Sequence, residues 1–294
     1  MIAYYLFRFF ETVFLAFPKK FQRSFVLGLG KLAFILDSKH KKIIKANLDL
    51  TIKDKITKEK YDSVLKYCHK NLFLAVLQVL RSSKSSIKEL EETVSFENRE
   101  VVDKALADGQ PIIFVSAHYG NWELGGTSIS ALVSPTTTIH KKMNDDYFDE
   151  YLMRSRTMFK MHMVEKRGAI KHLIKALKKG ESISMLIDQS VKETDGIIID
   201  FLGQKATQTA APAFLARKFD ALIIPVLINT APGKENVITF FDPIVTAKTE
   251  DEEKDILQSS QAQADVLSKA ILEYPEPWFW CHKRFKAVKP EIYK

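Results

Sequence analysis

The sequence predicts an α/β fold: a mixed, largely parallel sheet flanked by helices, preceded by a helical N-terminal extension. Three observations carry this reading. From Val94 onward, short β-branched and aromatic runs alternate with helical patterns, as strands do when crossover helices separate them. Upstream of about residue 80 only helical periodicity is present. The third is the stretch Pro111-Ile-Ile-Phe-Val-Ser-Ala-His118-Tyr-Gly-Asn-Trp-Glu123-Leu-Gly-Gly126, where an apolar run bounded by Asp108-Gly109 reads as an interior strand leading into a turn and a helix.

Taken in order, Met1 to Phe17 is almost wholly apolar, and Arg8, Glu11 and Thr12 form one narrow polar stripe at spacings of three and four. The segment falls short of the roughly 20 residues that span hydrocarbon, and it lacks the charged start and cleavage site of a signal peptide. It reads as a retained membrane anchor. Pro18, Lys19, Lys20 and Arg23 follow, and Lys39 to Lys45 adds a second basic cluster, as expected beside an anionic leaflet. Further helices fit Phe21 to Leu36, a basic stretch containing Asn47-Leu48, and Lys58 to Leu80, with Ser82 to Ser86 ending the last. Strands are expected at 111–116, 135–139, 182–187, 196–201, 222–228 and 236–241. Helices are expected at 99–107, 122–132, 145–160, 169–179, 209–219 and about 250–273. No repeat, linker or compositional break divides the chain. Residues 1–36 are therefore read as membrane-associated helices and 37–294 as a single α/β domain.

A chain of 294 residues with 46 % hydrophobic and 27 % charged residues is of ordinary globular composition and excludes disorder. Cys68 and Cys281 are too few and too far apart for a disulfide framework or a zinc site, which points to a reducing compartment. The net charge of +8 suits an anionic partner. No zinc-finger, helix-turn-helix or aromatic RNA-binding signature accompanies that charge, so nucleic acid is not expected as a partner. His140, His162 and His172 lack metal-ligand spacing with a carboxylate, and no metal or cofactor is expected. Gly28-Leu-Gly30-Lys-Leu-Ala33 matches a dinucleotide fingerprint, with Asp49 downstream. It follows no strand, however, and reads as small residues that let helices pack closely. A serine-hydrolase elbow is absent.

On one helix His118 and Glu123 would lie about 140° apart and could not meet. A strand-to-helix turn at Gly120, with Asn121 capping the helix, lets the imidazole fold back toward Glu123 in the first helical turn. One ring nitrogen then donates to the carboxylate while the other accepts a proton from a substrate hydroxyl, the arrangement of an oriented general base. This stretch resembles the His-x4-Asp/Glu motif of glycerolipid acyltransferases. In its full form, His-Tyr-Gly-Asn-Trp-Glu-Leu-Gly, it is similar to the late, secondary acyltransferases of lipid A biosynthesis, the lauroyl/myristoyl transferase family.

Other segments extend that resemblance from about Asn47 to Lys286. In Tyr147-Phe-Asp-Glu-Tyr-Leu-Met-Arg154-Ser-Arg156, the family resemblance assigns the arginines, Arg154 foremost, to a phosphorylated substrate, and guanidinium forks suit phosphate oxygens. Met185-Leu-Ile-Asp188-Gln189 resembles the family's Asp-Gln motif, Phe201-Leu-Gly203 its Phe-Phe-Gly, and Ile223-Ile-Pro225-Val226 its Pro-containing strand. Pro275-Glu-Pro-Trp-Phe-Trp-Cys-His282-Lys-Arg284-Phe-Lys286 resembles its aromatic and basic C-terminal motif, whose rings and cations suit a sugar-phosphate headgroup or a phosphopantetheine-bearing donor. Lys141-Lys142 departs from the Arg-Pro of many relatives.

What the resemblance implies is a glycerolipid acyltransferase-like fold and an O-acyltransferase at the cytoplasmic side of a bacterial inner membrane. Its donor would be acyl carrier protein, a co-substrate, and its acceptor a hydroxyl of a phosphorylated glycolipid, the lipid A precursor. The expected catalytic residues are His118 and Glu123. Asn121, Arg154, Arg156, Asp188, Gln189, His282 and Arg284 are the expected substrate-binding residues. An acyltransferase acting on phosphatidylinositol mannosides or lysophospholipids is the alternative, and a non-catalytic membrane-surface binding protein is the alternative from another class.

Overall fold

The computed structural model describes residues 2–82, 84–231 and 233–294. Its elements run α1 (Ile2–Ala16), α2 (Lys19–Leu36), α3 (Ser38–Thr51), α4 (Lys58–Ser82), α5 (Ile87–Thr93), β1 (Ser95–Glu97), α6 (Arg99–Ala107), β2 (Ile112–Ser116), α7 (Trp122–Leu132) and β3 (Thr136–His140). They continue with α8 (Asp146–Thr157), β4 (His162–Glu165), α9 (Ala169–Lys178), β5 (Ser182–Leu186), β6 (Ile197–Phe201), β7 (Gln204–Gln208), α10 (Ala211–Phe219), β8 (Leu222–Asn229), β9 (Val237–Phe240) and α11 (Glu252–Glu273).

Among the described residues a seven-stranded sheet is ordered β1-β9-β8-β2-β5-β3-β4, and β6 pairs with β7 in a separate hairpin. Every pairing in the large sheet is parallel except that of β8 with β9. The fold is therefore the α/β architecture that the alternation of patterns implies. β2 lies at its centre, with Ile112, Ile113, Phe114 and Val115 all buried, because helices cover both faces of a parallel sheet and leave no solvent side.

Every strand and helix expected from Pro111 onward is present within a few residues of its expected bounds. Those the pattern missed are short. β1 and β4 have three and four residues, α5 has seven, and β7 is the polar half of a hairpin whose apolar half was read. Helix α5 begins where the stretch from Ser82 to Ser86 was read as a terminator; Ser83 of that stretch and Met1 of the proposed anchor lie outside the described residues.

Helix α1 is inside out relative to a core helix. Glu11 is buried and accepts a hydrogen bond from the Tyr151 hydroxyl of α8 at 2.6 Å, with Arg8 paired to it at 3.2 Å. Tyr5, Leu6, Phe9, Phe10 and Val13 face outward. Helix α2 repeats the arrangement, with Gln22, Val26 and Gly30 inward and Phe21, Phe25, Leu32 and Leu36 exposed. Gly30 serves packing as its sequence context implied: a Cβ there would lie 3.0 Å from the Lys70 backbone of α4.

Two buried asparagines tie the helical part to the C-terminal segment. Asn47 of α3 donates to the carbonyls of Trp280 and His282, each at 2.8 Å, and Asn71 of α4 donates to those of Gly120 at 2.7 Å and Pro277 at 3.2 Å. Cys68 and Cys281, remote in sequence, are free thiols in contact at 3.0 Å on this seam.

The turn after His118 depends on Gly120, whose φ of +58° is left-handed and whose missing side chain leaves room for a backbone. A Cβ there would lie 1.9 Å from the carbonyl oxygen of Ile228 in β8. Gly120→Ala should therefore cost about 2–5 kcal/mol from strain and overpacking together. Gly180→Ala, at φ +72° but with open space around it, should cost only about 1–2 kcal/mol. Denaturant unfolding of both variants checks the difference, and equal losses would refute the steric argument.

Candidate active site

His118 sits just past the carboxyl end of β2, where open α/β sheets place their ligands. β5 is the parallel neighbour of β2, with Ser116 paired to Leu186, and the chain leaving β5 carries Asp188 alongside His118. The Ile187 amide donates to the Ser116 carbonyl at 2.9 Å and extends the pairing toward the site.

The carboxylate that holds the imidazole is that of Asp188. His118 Nδ1 lies 2.8 Å from Asp188 Oδ1, while Oδ2 accepts from the His118 backbone amide and from Trp278 Nε1, both at 3.0 Å. The expected hydrogen bond from the ring to Glu123 is corrected by this geometry. Glu123 instead receives a forked pair from Arg156 of α8, Nε to Oε2 at 2.9 Å and Nη2 to Oε1 at 2.5 Å. Asn121 does cap α7, accepting from the Leu124 amide, which fixes Glu123 in the first turn; the guanidinium then claims both of its oxygens.

Burial disfavours the ionised form of Asp188, but the neighbouring imidazole and the three donors outweigh it and hold the carboxyl down at about 2. Burial likewise disfavours the charged imidazole, and the Asp188 charge and hydrogen bond outweigh that, aided by Glu123, so His118 is raised above its ordinary value. The ring is about one-fifth exposed, its Nε2 lies 3.3 Å from Gln189 Nε2, and Trp122 and Phe279 flank it at ring-centroid distances of 5.4 and 6.3 Å. One nitrogen is thus fixed by an ionised carboxylate and the other reaches the mouth of the site. This is the geometry of a general base.

The remaining expected site residues divide. Gln189 and Arg156 belong to the cluster. Arg154, a short step along α8, is exposed and pairs with Glu150. Helical geometry puts residues two apart on opposed faces, so the order of preference between the two arginines is reversed. His282 Nε2 accepts from the Ser190 amide at 3.1 Å, which holds the loop after Gln189 in place.

Arg284 is wholly buried, donates to the Thr207 carbonyl and lies over the Phe201 ring at 4.7 Å. Burial lowers it to about 10. Trp278 and Trp280 are also in the core. The C-terminal motif, expected to bind a headgroup, is instead the wall behind the site. Its rings fill volume that an aromatic-rich segment must bury, and only Phe279 reaches the imidazole. Sequence reasoning had no signal for Trp278 as a partner of Asp188 beyond its place in that motif. Among the described residues no group of histidines, cysteines and carboxylates is arranged to hold a metal ion.

The family model described as bacterial lipid A biosynthesis acyltransferase matches residues 1–287. The chain belongs to that family. It is 23 % identical over 266 residues to the lipid A biosynthesis lauroyltransferase of Escherichia coli K12, covering 90 % of this chain and 84 % of that relative. It is 22 % identical over 191 residues to the palmitoleoyltransferase of the same organism, covering 65 % of this chain and 60 % of the relative. To a lipid A biosynthesis acyltransferase of Haemophilus influenzae it is 22 % identical over 197 residues, covering 66 % and 60 %. The chain thus spans about three fifths of the length of the last two. The acyltransferase carries its His-x4-Glu motif at the centre of the cluster just described, with Asp188 as the hydrogen-bond partner of the histidine.

An imidazole in this geometry accepts a proton only when neutral, so activity that runs through His118 should fall on the acid side with a midpoint above the ordinary 6.5 of histidine. Asp188→Asn removes the charge that raises the ring, and burial then pulls it down. The midpoint should move below that of wild type while the rate drops by up to about 10⁴-fold, the scale for a base that has lost its orienting carboxylate. Rate measurements across pH check both; a midpoint unmoved in Asp188→Asn would show that the carboxylate does not control the base.

Proposed function

We propose that this acyltransferase transfers a fatty acyl chain from acyl carrier protein to a hydroxyl of a phosphorylated lipid A precursor, on the cytoplasmic face of the bacterial inner membrane. The observation that carries the reading is the imidazole of His118, backed on Nδ1 by ionised Asp188 and met at Nε2 by the exposed Gln189 amide. An acceptor hydroxyl takes the place of the Gln189 amide at Nε2 and gives its proton to the ring. The resulting oxygen attacks the thioester carbonyl. Collapse of the tetrahedral intermediate breaks the carbon–sulfur bond, and the departing thiolate takes the proton from the imidazolium. The products are an ester and a free carrier thiol, with no covalent enzyme intermediate.

Asp188 supplies the orientation first expected of Glu123. Glu123 contributes negative charge near the imidazolium and fixes Arg156, whose guanidinium suits a substrate anion. The lauroyl- and palmitoleoyltransferase names of the relatives support a long-chain acyl donor. A lysophospholipid or a phosphatidylinositol mannoside as acceptor is the second reading, and the assay below separates them.

Membrane attachment fits the inside-out helices. No helix among the described residues is long and apolar enough to cross a membrane. The exposed aromatic rows of α1 and α2, with Lys19, Lys20 and Arg23 beside them, suit helices that lie along the surface of the lipid. Residues 37–294 form the catalytic part. Each buried phenylalanine is worth about 1.5–3 kcal/mol, enough for several to hold a protein at an interface.

His118→Ala should lower transfer from acyl carrier protein to the lipid A precursor by about 10²–10⁴-fold while leaving the circular dichroism spectrum unchanged. Near-normal transfer by the folded variant would overturn the mechanism, and wild-type activity on lysophospholipid alone would replace the acceptor. Separately, replacing Phe9, Phe10, Phe21 and Phe25 with Ser should abolish flotation with phosphatidylglycerol vesicles at high salt. Undiminished flotation would refute the interfacial role of α1 and α2.

A further inference from the structure

The indole of Trp278 is 1 % exposed, enclosed by Trp280 at 4.6 Å and Phe201 at 5.4 Å between ring centroids. Its Nε1 has one partner, Asp188 Oδ2, at 3.0 Å. Both carboxylate oxygens of Asp188 are therefore assigned. Oδ2 takes the indole and the His118 backbone amide, and Oδ1 is left to face Nδ1. The segment carrying the indole is itself registered on the active-site turn. Tyr119 and Trp278 form an antiparallel bridge, Gly120 N donates to Pro277 O, and Phe279 N donates to His118 O, the last two each at 2.9 Å. A hydrogen bond to a buried ionised carboxylate is among the stronger ones, and no water can replace this donor in so sealed a place.

We propose that Trp278 is a positioning residue for the base: its indole N–H fixes the rotation of the Asp188 carboxylate against the ring, and so tunes how readily His118 gives up its proton. The inference rests on His118 being the base of the proposed transfer. An acceptor hydroxyl must lose its proton to a ring that then returns it to a thiolate, so an imidazolium held too tightly by an over-basic carboxylate would slow the second half of the reaction. The indole shares the negative charge of Asp188 and moderates that hold. Without it Asp188 stays ionised at neutral pH but becomes more basic, because one of the groups that hold its carboxyl low is gone. The imidazolium is then stabilised further and His118 titrates higher.

The charged groups facing the pair come from every element around it: Glu123 on α7, Arg156 on α8, and His282 and Arg284 on the C-terminal segment. None of them is altered by a change at the indole. The sign also distinguishes this role from that of the carboxylate itself, since removing Asp188 sends the ring the opposite way.

The test is an NMR titration of nitrogen-15-labelled histidine in the full-length protein, following His118 in wild type, in Trp278→Phe, and in protein carrying benzothienylalanine at position 278. That analogue keeps the shape of the indole and lacks its N–H. Both changes should move the His118 titration upward by roughly 0.5–1 unit, a fraction of the strength of one hydrogen bond to a charged group. In the transfer assay kcat should fall about 10-fold with KM nearly unchanged. A role in packing alone would leave the titration in place and, for the analogue, leave kcat unchanged as well. An unmoved or lowered titration in the folded analogue protein overturns the proposal. Because the titration needs no substrate, failure of the proposed transfer activity and failure of this inference are read separately.

Discussion

Burial of the Asp188 carboxylate is the constraint on which the site depends. An ionised carboxyl with 3 % of its surface exposed survives only where donors converge on it, and here three do, from two parts of the chain: the ring and the backbone amide of His118, and the Trp278 indole. Each donor requires a piece of architecture. The ring and amide require β2 and β5 to be parallel neighbours, and the indole requires the C-terminal segment to close behind the sheet. The polarity of the site follows from the same demand: with Asp188 ionised and sealed in, the imidazole beside it is biased toward holding a proton, and only its outer nitrogen is turned away from the carboxylate, toward Gln189.

The same logic of satisfying charge explains the second ion pair. Glu123 stands at the start of α7, where the helix dipole favours a carboxylate, and Arg156 meets it with a planar fork. Arg156 belongs to α8, and α8 receives the buried Glu11 of α1 through Tyr151. The helix that points Tyr5, Phe9 and Phe10 outward is therefore packed, by Glu11 and by the rings of Tyr4 and Phe7, on the helix that grips Glu123. The Glu11 carboxylate finds a hydroxyl and a guanidinium, and the rings of Tyr5, Phe9 and Phe10 are left on the exposed face.

Much of this was legible in the sequence, and the reasons differ by element. The helices at 99–107 and 122–132 and the strand ending at Ser116 have strong periodicity and clear punctuation, and they lie where the pattern puts them. The fold class followed from alternation alone. The identity of the partner of His118 did not, because β2 and β5 are separated in sequence by α7, β3, α8, β4 and α9, and nothing local states that they are neighbours. The eye pairs His118 with the nearest acid, Glu123, while the sheet pairs it with Asp188. The arginines misled for a related reason. A cation in a family-like motif reads as a ligand contact, yet Arg284 stands over Phe201 in the core and Arg154 faces solvent, and only burial separates these cases from Arg156.

The C-terminal motif shows how one segment joins stability to chemistry. Its aromatic residues supply core volume, its backbone binds the turn that carries His118, and its buried asparagine partners come from α3 and α4 near the other end of the chain. Asn71 donates to both Gly120 and Pro277, so one amide group ties the catalytic turn and the C-terminal segment to the same point on α4. Gly120 meanwhile is pressed against the Ile228 carbonyl of β8. The turn is thus held from the sheet, from the helical extension and from the C-terminus at once. A base that must exchange a proton within a hydrogen-bond length tolerates little drift, and a short strand-to-helix turn cannot hold itself that still. The local sequence His-Tyr-Gly-Asn-Trp-Glu supplies the reactive groups and the one residue small enough for the bend; the precision is supplied by segments far away in the chain, which only the complete fold brings together.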